Sequence, residues 1–124
     1  MFDKTQLRAL VAKVLRVERL DSPAAENLVL GTFAQESKFG TYLRQMGSGP
    51  ALGICQMEQP TFEWLKGAYG QKHPYLGAAL FEALEWDLYL NILVCRLRYR
   101  VVPEALPQAA DLLGLARYWK KDRK

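Results

Sequence analysis

The chain is poor in the residues that hold metals. It contains one histidine, His73, and two cysteines, Cys55 and Cys95, in 124 residues. Neither cysteine has a second Cys or a His at ligand spacing, so a zinc site is excluded and buried free thiols are expected. No metal and no cofactor follow from this composition. Long apolar runs are also missing. The most apolar stretch, Leu88 to Leu97, is broken by Asn91 and Arg96, which reads as a buried core helix and not a membrane span. Lys4, Arg8, Lys13 and Arg16 recur through the first apolar residues. That spacing suits an amphipathic helix and denies the uninterrupted apolar region of a signal peptide, so export would need another component. Repeats and low-complexity tracts are absent, and the nine glycines and six prolines gather in a few places that mark joints between helices.

What remains is the composition of one globular domain, half apolar and about a quarter charged, with a net charge of +4. That charge favours acidic partners such as nucleic acid, an anionic membrane face or the bacterial wall. A nucleic-acid partner is not expected: Arg96, Arg98 and Arg100 alternate and do not share one helical face, and no reading motif accompanies them.

The periodicity is helical throughout, so the fold class expected is all-α around a buried central helix. A first helix from Lys4 to Val17 sets Leu7, Leu10, Val11, Val14 and Leu15 on one stripe. A second starts at Asp21 and Ser22 as caps, with Pro23 in its first turn and Glu26 at the positive end of the dipole, and runs to about Lys38 before Gly40. From Thr41 to Gly53 the pattern is a Gly-rich loop. A short helix is expected from Thr61 to about Ala68, then a joint from His73 to Gly77. A long apolar helix follows from Gly77 to Tyr99 with a break near Trp86, and a last helix from Gln108 to Lys120.

One carboxylate stands out within this frame. Counting back from Glu36 by helical spacing meets Phe33, Thr32, Val29 and Ala25, the second helix's apolar stripe. A carboxylate there is partly desolvated and sits in the last turn, where the dipole disfavours negative charge. Both effects favour the protonated form that a general acid must supply.

Three segments share a further pattern. Glu36-Ser37 ends a helix; Ala51-Leu52-Gly53-Ile54-Cys55-Gln56-Met57 follows, with Thr61 five residues after Gln56; and Asn91-Ile92 precedes Cys95 and Tyr99. In order and spacing these resemble the soluble lytic transglycosylase and goose-type lysozyme families, over roughly Leu28 to Tyr99, with Cys95 where those families have Gly. The resemblance implies a single lysozyme-like domain whose substrate is peptidoglycan. Glu36 would protonate the glycosidic oxygen between N-acetylmuramic acid and N-acetylglucosamine and then act as base. Ser37 and Gln56 would hold the substrate or the Glu, Asn91 would shape the cleft, and Tyr42, in the loop after Glu36, is the preferred aromatic for sugar contact. One carboxylate suffices where the substrate's acetamido group replaces the second. Glu58 and Glu63 are the nearest other acids.

The tail departs from the pattern. The families end with Ala-x-Tyr-Asn-x-Gly, whose Tyr faces the catalytic Glu; here Ala116-Arg117-Tyr118 is followed by Trp119 and Lys120, and Pro60 is displaced. Tyr118 is the residue left for that role. The departure motivates a second reading, a catalytically inactive lysozyme-like protein that belongs to a phage virion or binds a host protein. The segment from Gly49 to Glu58 is closest in wording to bacteriophage-encoded members, consistent with delivery by a virion or release from the host cytoplasm.

Overall fold

The computed structural model describes residues 3–37 and 51–100. Over these residues the fold is all-α, with five α-helices, α1 (Lys4–Val17), α2 (Pro23–Ser37), α3 (Gln59–Tyr69), α4 (Pro74–Gly77) and α5 (Leu88–Arg100), and a 3-10 helix, Phe81–Glu85. Residues 41–50 of the loop expected from Thr41 to Gly53, and the expected last helix, lie outside the described residues.

Local chemistry explains where the helices begin. The Asp3 side chain accepts from the Gln6 amide at 3.0 Å, and Ser22 Oγ accepts from the Ala25 amide at 3.0 Å, each satisfying a first-turn N–H. The end of α1 is a Schellman motif. Leu20 N–H bonds Leu15 O, Arg19 N–H bonds Arg16 O, and Arg19 takes the left-handed conformation at φ 60°. Leu20 then packs with Leu15 in the core, the apolar contact that usually accompanies this motif.

α5 is the centre of the fold. Every residue from Leu90 to Leu97 is buried, as is Tyr99, and α5 touches α1, α2, α3, α4 and the 3-10 helix. α1 and α2 present the stripes that periodicity assigned to them. Leu7, Val11, Val14 and Leu15 are buried on one, Ala25, Val29, Thr32 and Phe33 on the other. Cys55 and Cys95 are buried free thiols.

Three boundaries differ from the sequence reading. α3 starts at Gln59, two residues before Thr61, because Pro60 occupies the first turn, where its missing N–H costs nothing. The expected joint at His73 to Gly77 is itself a helical turn, seated backbone to backbone against Gly70: a Cβ on Gly77 would lie 2.7 Å from Gly70 O. The apolar stretch expected to be helical from Gly77 becomes so only at Phe81, and it breaks at Trp86 as expected. It divides into the 3-10 helix and α5, with Trp86 exposed at the break and Asp87 Oδ1 capping α5 through Leu90 N–H at 2.9 Å. Among the described residues no helix is long and apolar enough to cross a membrane.

Candidate functional site

Glu36 lies one residue from the end of α2 and is half-buried. The turn before it is held from behind. Thr32 Oγ1 donates to Leu28 O at 2.8 Å and lies 2.8 Å from Tyr99 Oη. Its only proton is thus committed, so the Tyr99 hydroxyl donates to it. Both groups are buried, and the bond ties the last turns of α2 to α5 across 67 residues of sequence. Tyr99→Phe is expected to cost about 1 kcal/mol for the lost bond to Thr32, which keeps its own bond to Leu28. Urea denaturation of the two proteins measures it.

The second segment is a tight hairpin, a feature the helical periodicity does not anticipate. Leu52 and Met57 exchange two backbone hydrogen bonds at 2.9 Å, and Gln56 N–H bonds Gly53 O at 3.0 Å. Its four-residue tip places two residues at positive φ, Gly53 at 84° and Gln56 at 50°. The Gln56 side-chain Nε2 also donates to Gly53 O, at 2.8 Å. A non-glycine residue in the left-handed region is uncommon, and such residues gather at functional sites, where surrounding structure compels them.

That structure is Asn91. Its Nδ2 donates to the carbonyls of Leu84 and Asp87, both at 2.8 Å. Its Oδ1 accepts from the Cys55 thiol at 3.3 Å and, at 3.5 Å, from the Cys55 amide. Asn91 therefore joins the hairpin, the 3-10 helix and α5. Expected from the sequence to shape the cleft, it is 2% exposed with its carboxamide spent internally, so it supports the hairpin from beneath. The Ser37 side chain, Tyr42 and Tyr118 lie outside the described residues. Of the nearby acids, Glu58 at the N-cap of α3 and Glu63 within it are exposed, and Glu58 makes no side-chain cap bond. No protein-family model, curated protein or solved structure matches this chain.

Among the described residues no group of three His, Cys, Asp or Glu side chains gathers as metal ligands. The lone histidine serves a polar knot instead. His73 Nδ1 lies 2.7 Å from Glu18 Oε1, and Tyr89 donates its hydroxyl to Glu18 Oε2. Beside it the Tyr75 and Tyr89 rings meet at 4.5 Å, and Tyr75 donates to Asp87 Oδ2 at 2.6 Å. Sequence reasoning missed this knot because its members are 55 and 71 residues apart and no local pattern pairs them. Arg96 is buried, Arg98 half-buried and Arg100 exposed, so the alternating arginines form no common surface.

The knot shapes the alkaline titration. The hydrogen bond to Asp87, then burial, then the Asp87 charge push the Tyr75 hydroxyl up to about 12. Burial, followed by the bond to Glu18, raises Tyr89 as well. A raised value means that the folded state favours the neutral phenol. Its contribution to stability is complete below the ordinary tyrosine value near 10 and is lost as pH rises from there through the folded value. Phenolate absorbance should therefore show a late ionisation near pH 12. Tyr75→Phe should remove it, and Asp87→Asn, which keeps a helix-capping oxygen, should move it back toward about 10.

Proposed function

We propose that this chain is a lysozyme-like protein that cleaves the glycan strands of peptidoglycan between N-acetylmuramic acid and N-acetylglucosamine, with Glu36 as proton donor and then base. The observation that carries this reading is the role of α5. The segment that supplies Asn91 and Tyr99 braces both other segments of the sequence pattern: Tyr99 holds the turn before Glu36, and Asn91 holds the Gly53 to Gln56 hairpin. Three short matches scattered over the chain would be weak evidence as separate strings. Joined through one central helix, they behave as parts of one site.

In this reading Gln56, strained at the hairpin tip, and Ser37 orient the sugar or the carboxyl, with Tyr42 and Tyr118 completing the cleft. The substrate's acetamido group takes the part of the second carboxylate, since Glu58 and Glu63 face solvent.

The test is a digest of purified peptidoglycan by the protein and by its Glu36→Gln variant, with mass analysis of the released fragments. Anhydro-muropeptides from the parent alone identify a lytic transglycosylase, and new reducing ends identify a muramidase. No fragments from either protein would replace this reading with the non-catalytic one, a virion component or a host-protein binder, which the altered segment after Tyr118 favours.

A further inference from the structure

The surface between α4 and the start of α5 carries a groove that the proposed chemistry does not use. It encloses about 350 Å³, at the small end of ligand pockets, and is lined by Tyr75, Leu80, Trp86, three alanines, Glu82 and Asp87. Its large apolar side chains face water: Trp86 is 73% exposed, Leu80 68% and Tyr75 46%. Three such residues around one concavity mark an interaction surface more than scattered exposure does.

Charge selects the occupant. The chain is basic overall, yet residues 73–95 contain no Lys or Arg and three acids, Glu82, Glu85 and Asp87. The cation held against it, Lys66 on the Ala79 carbonyl at 2.6 Å, is outnumbered by the two carboxylates of the lining, Glu82 and Asp87. Aromatic faces beside carboxylates attract cations and repel anions. Tyr75 is also fixed in place, by its hydroxyl on Asp87 and its ring against Tyr89, so little ordering is needed on binding. We propose that this groove docks a basic, amphipathic peptide segment of a partner protein. An Arg or Lys would lie over Trp86 and against Glu82, and an apolar neighbour on the alanine floor by Leu80.

The probe is a synthetic peptide of alternating arginine and leucine, titrated by calorimetry against the full chain, with a glutamate–leucine peptide and chitotriose in parallel. Binding of the arginine peptide should weaken with salt, by about tenfold in Trp86→Ala and about threefold in Glu82→Gln. Both side chains are exposed, so unchanged thermal unfolding is expected of each variant. Wall digestion by both variants should stay at the parent level, which separates this groove from the Glu36 site. Equal binding of the glutamate peptide, preference for chitotriose, or an unchanged affinity in Trp86→Ala would each overturn the proposal.

Discussion

Glu36→Gln is expected to lower the release of soluble wall fragments by at least about 100-fold, while the protein stays folded. A positioned general acid typically contributes 10²–10⁴ in rate, and the amide cannot give a proton to the leaving oxygen. A 100-fold loss corresponds to about 2.7 kcal/mol of transition-state stabilisation. The amide matches the carboxyl in shape, and Glu36 is only half-buried at a helix end, so stability should change by less than about 1 kcal/mol. Glu58→Gln and Glu63→Gln are the matched controls. Both are exposed, Glu58 at the N-cap of α3 and Glu63 within it, and should retain nearly full activity. Parent-level release by Glu36→Gln would remove Glu36 from the chemistry, and a comparable loss in Glu58→Gln would point to a second acid.

Gly53→Ala should be the most destabilising glycine-to-alanine change among the described residues, at about 3–5 kcal/mol by urea denaturation. Two costs combine. At φ 84° an L-residue meets the steric penalty of the left-handed region, about 1–2 kcal/mol. The added Cβ would also lie 2.2 Å from Asn91 Oδ1 and 2.5 Å from Leu84 O. Asn91 cannot swing away without breaking its bonds to Leu84, Asp87 and Cys55, and Leu84 O is backbone. Against a total stability of about 5–15 kcal/mol, that loss threatens the fold itself. Gly67→Ala provides the opposite sign. It lies exposed within α3 with nothing within 4 Å of an added Cβ, so helix propensity should make it stabilising by about 0.5–1 kcal/mol. A loss below about 1 kcal/mol in Gly53→Ala would mean that the hairpin relaxes and that Asn91 is not the clamp described.

The candidate site was legible in the sequence to different depths. The buried stripe behind Glu36 could be read because one helix face repeats every three or four residues, and Ala25, Val29, Thr32 and Phe33 all pack inward. That Tyr99 would close on Thr32 could not be read, since either hydroxyl could have been satisfied by its own helix. Gly53 and Gln56 were visible as a spacing. Their geometry was not, because the apolar run around them lacks the Asn-Gly or Asp-Gly pair that announces a hairpin.

The amino-acid order by itself determined the helical class, the extent of α1 and the start of α2, the burial of α5 and the free cysteines. Each depends on hydrophobic period, capping residues or composition, which act over one or two turns. Only the tertiary structure decided how the apolar stretch before Tyr99 folds on the near side of its break at Trp86. The residues from Phe81 to Glu85 fit an α-helical turn as well as a 3-10 one, and the outcome is set where the Asp87 carboxylate caps α5 while Asn91 draws in Leu84 and the hairpin. It likewise decided the pairing of Glu18 with His73 and Tyr89, and the exposure of Trp86 on an acidic groove. Those contacts join residues many turns apart, and their energies exist only once packing has excluded water from around them.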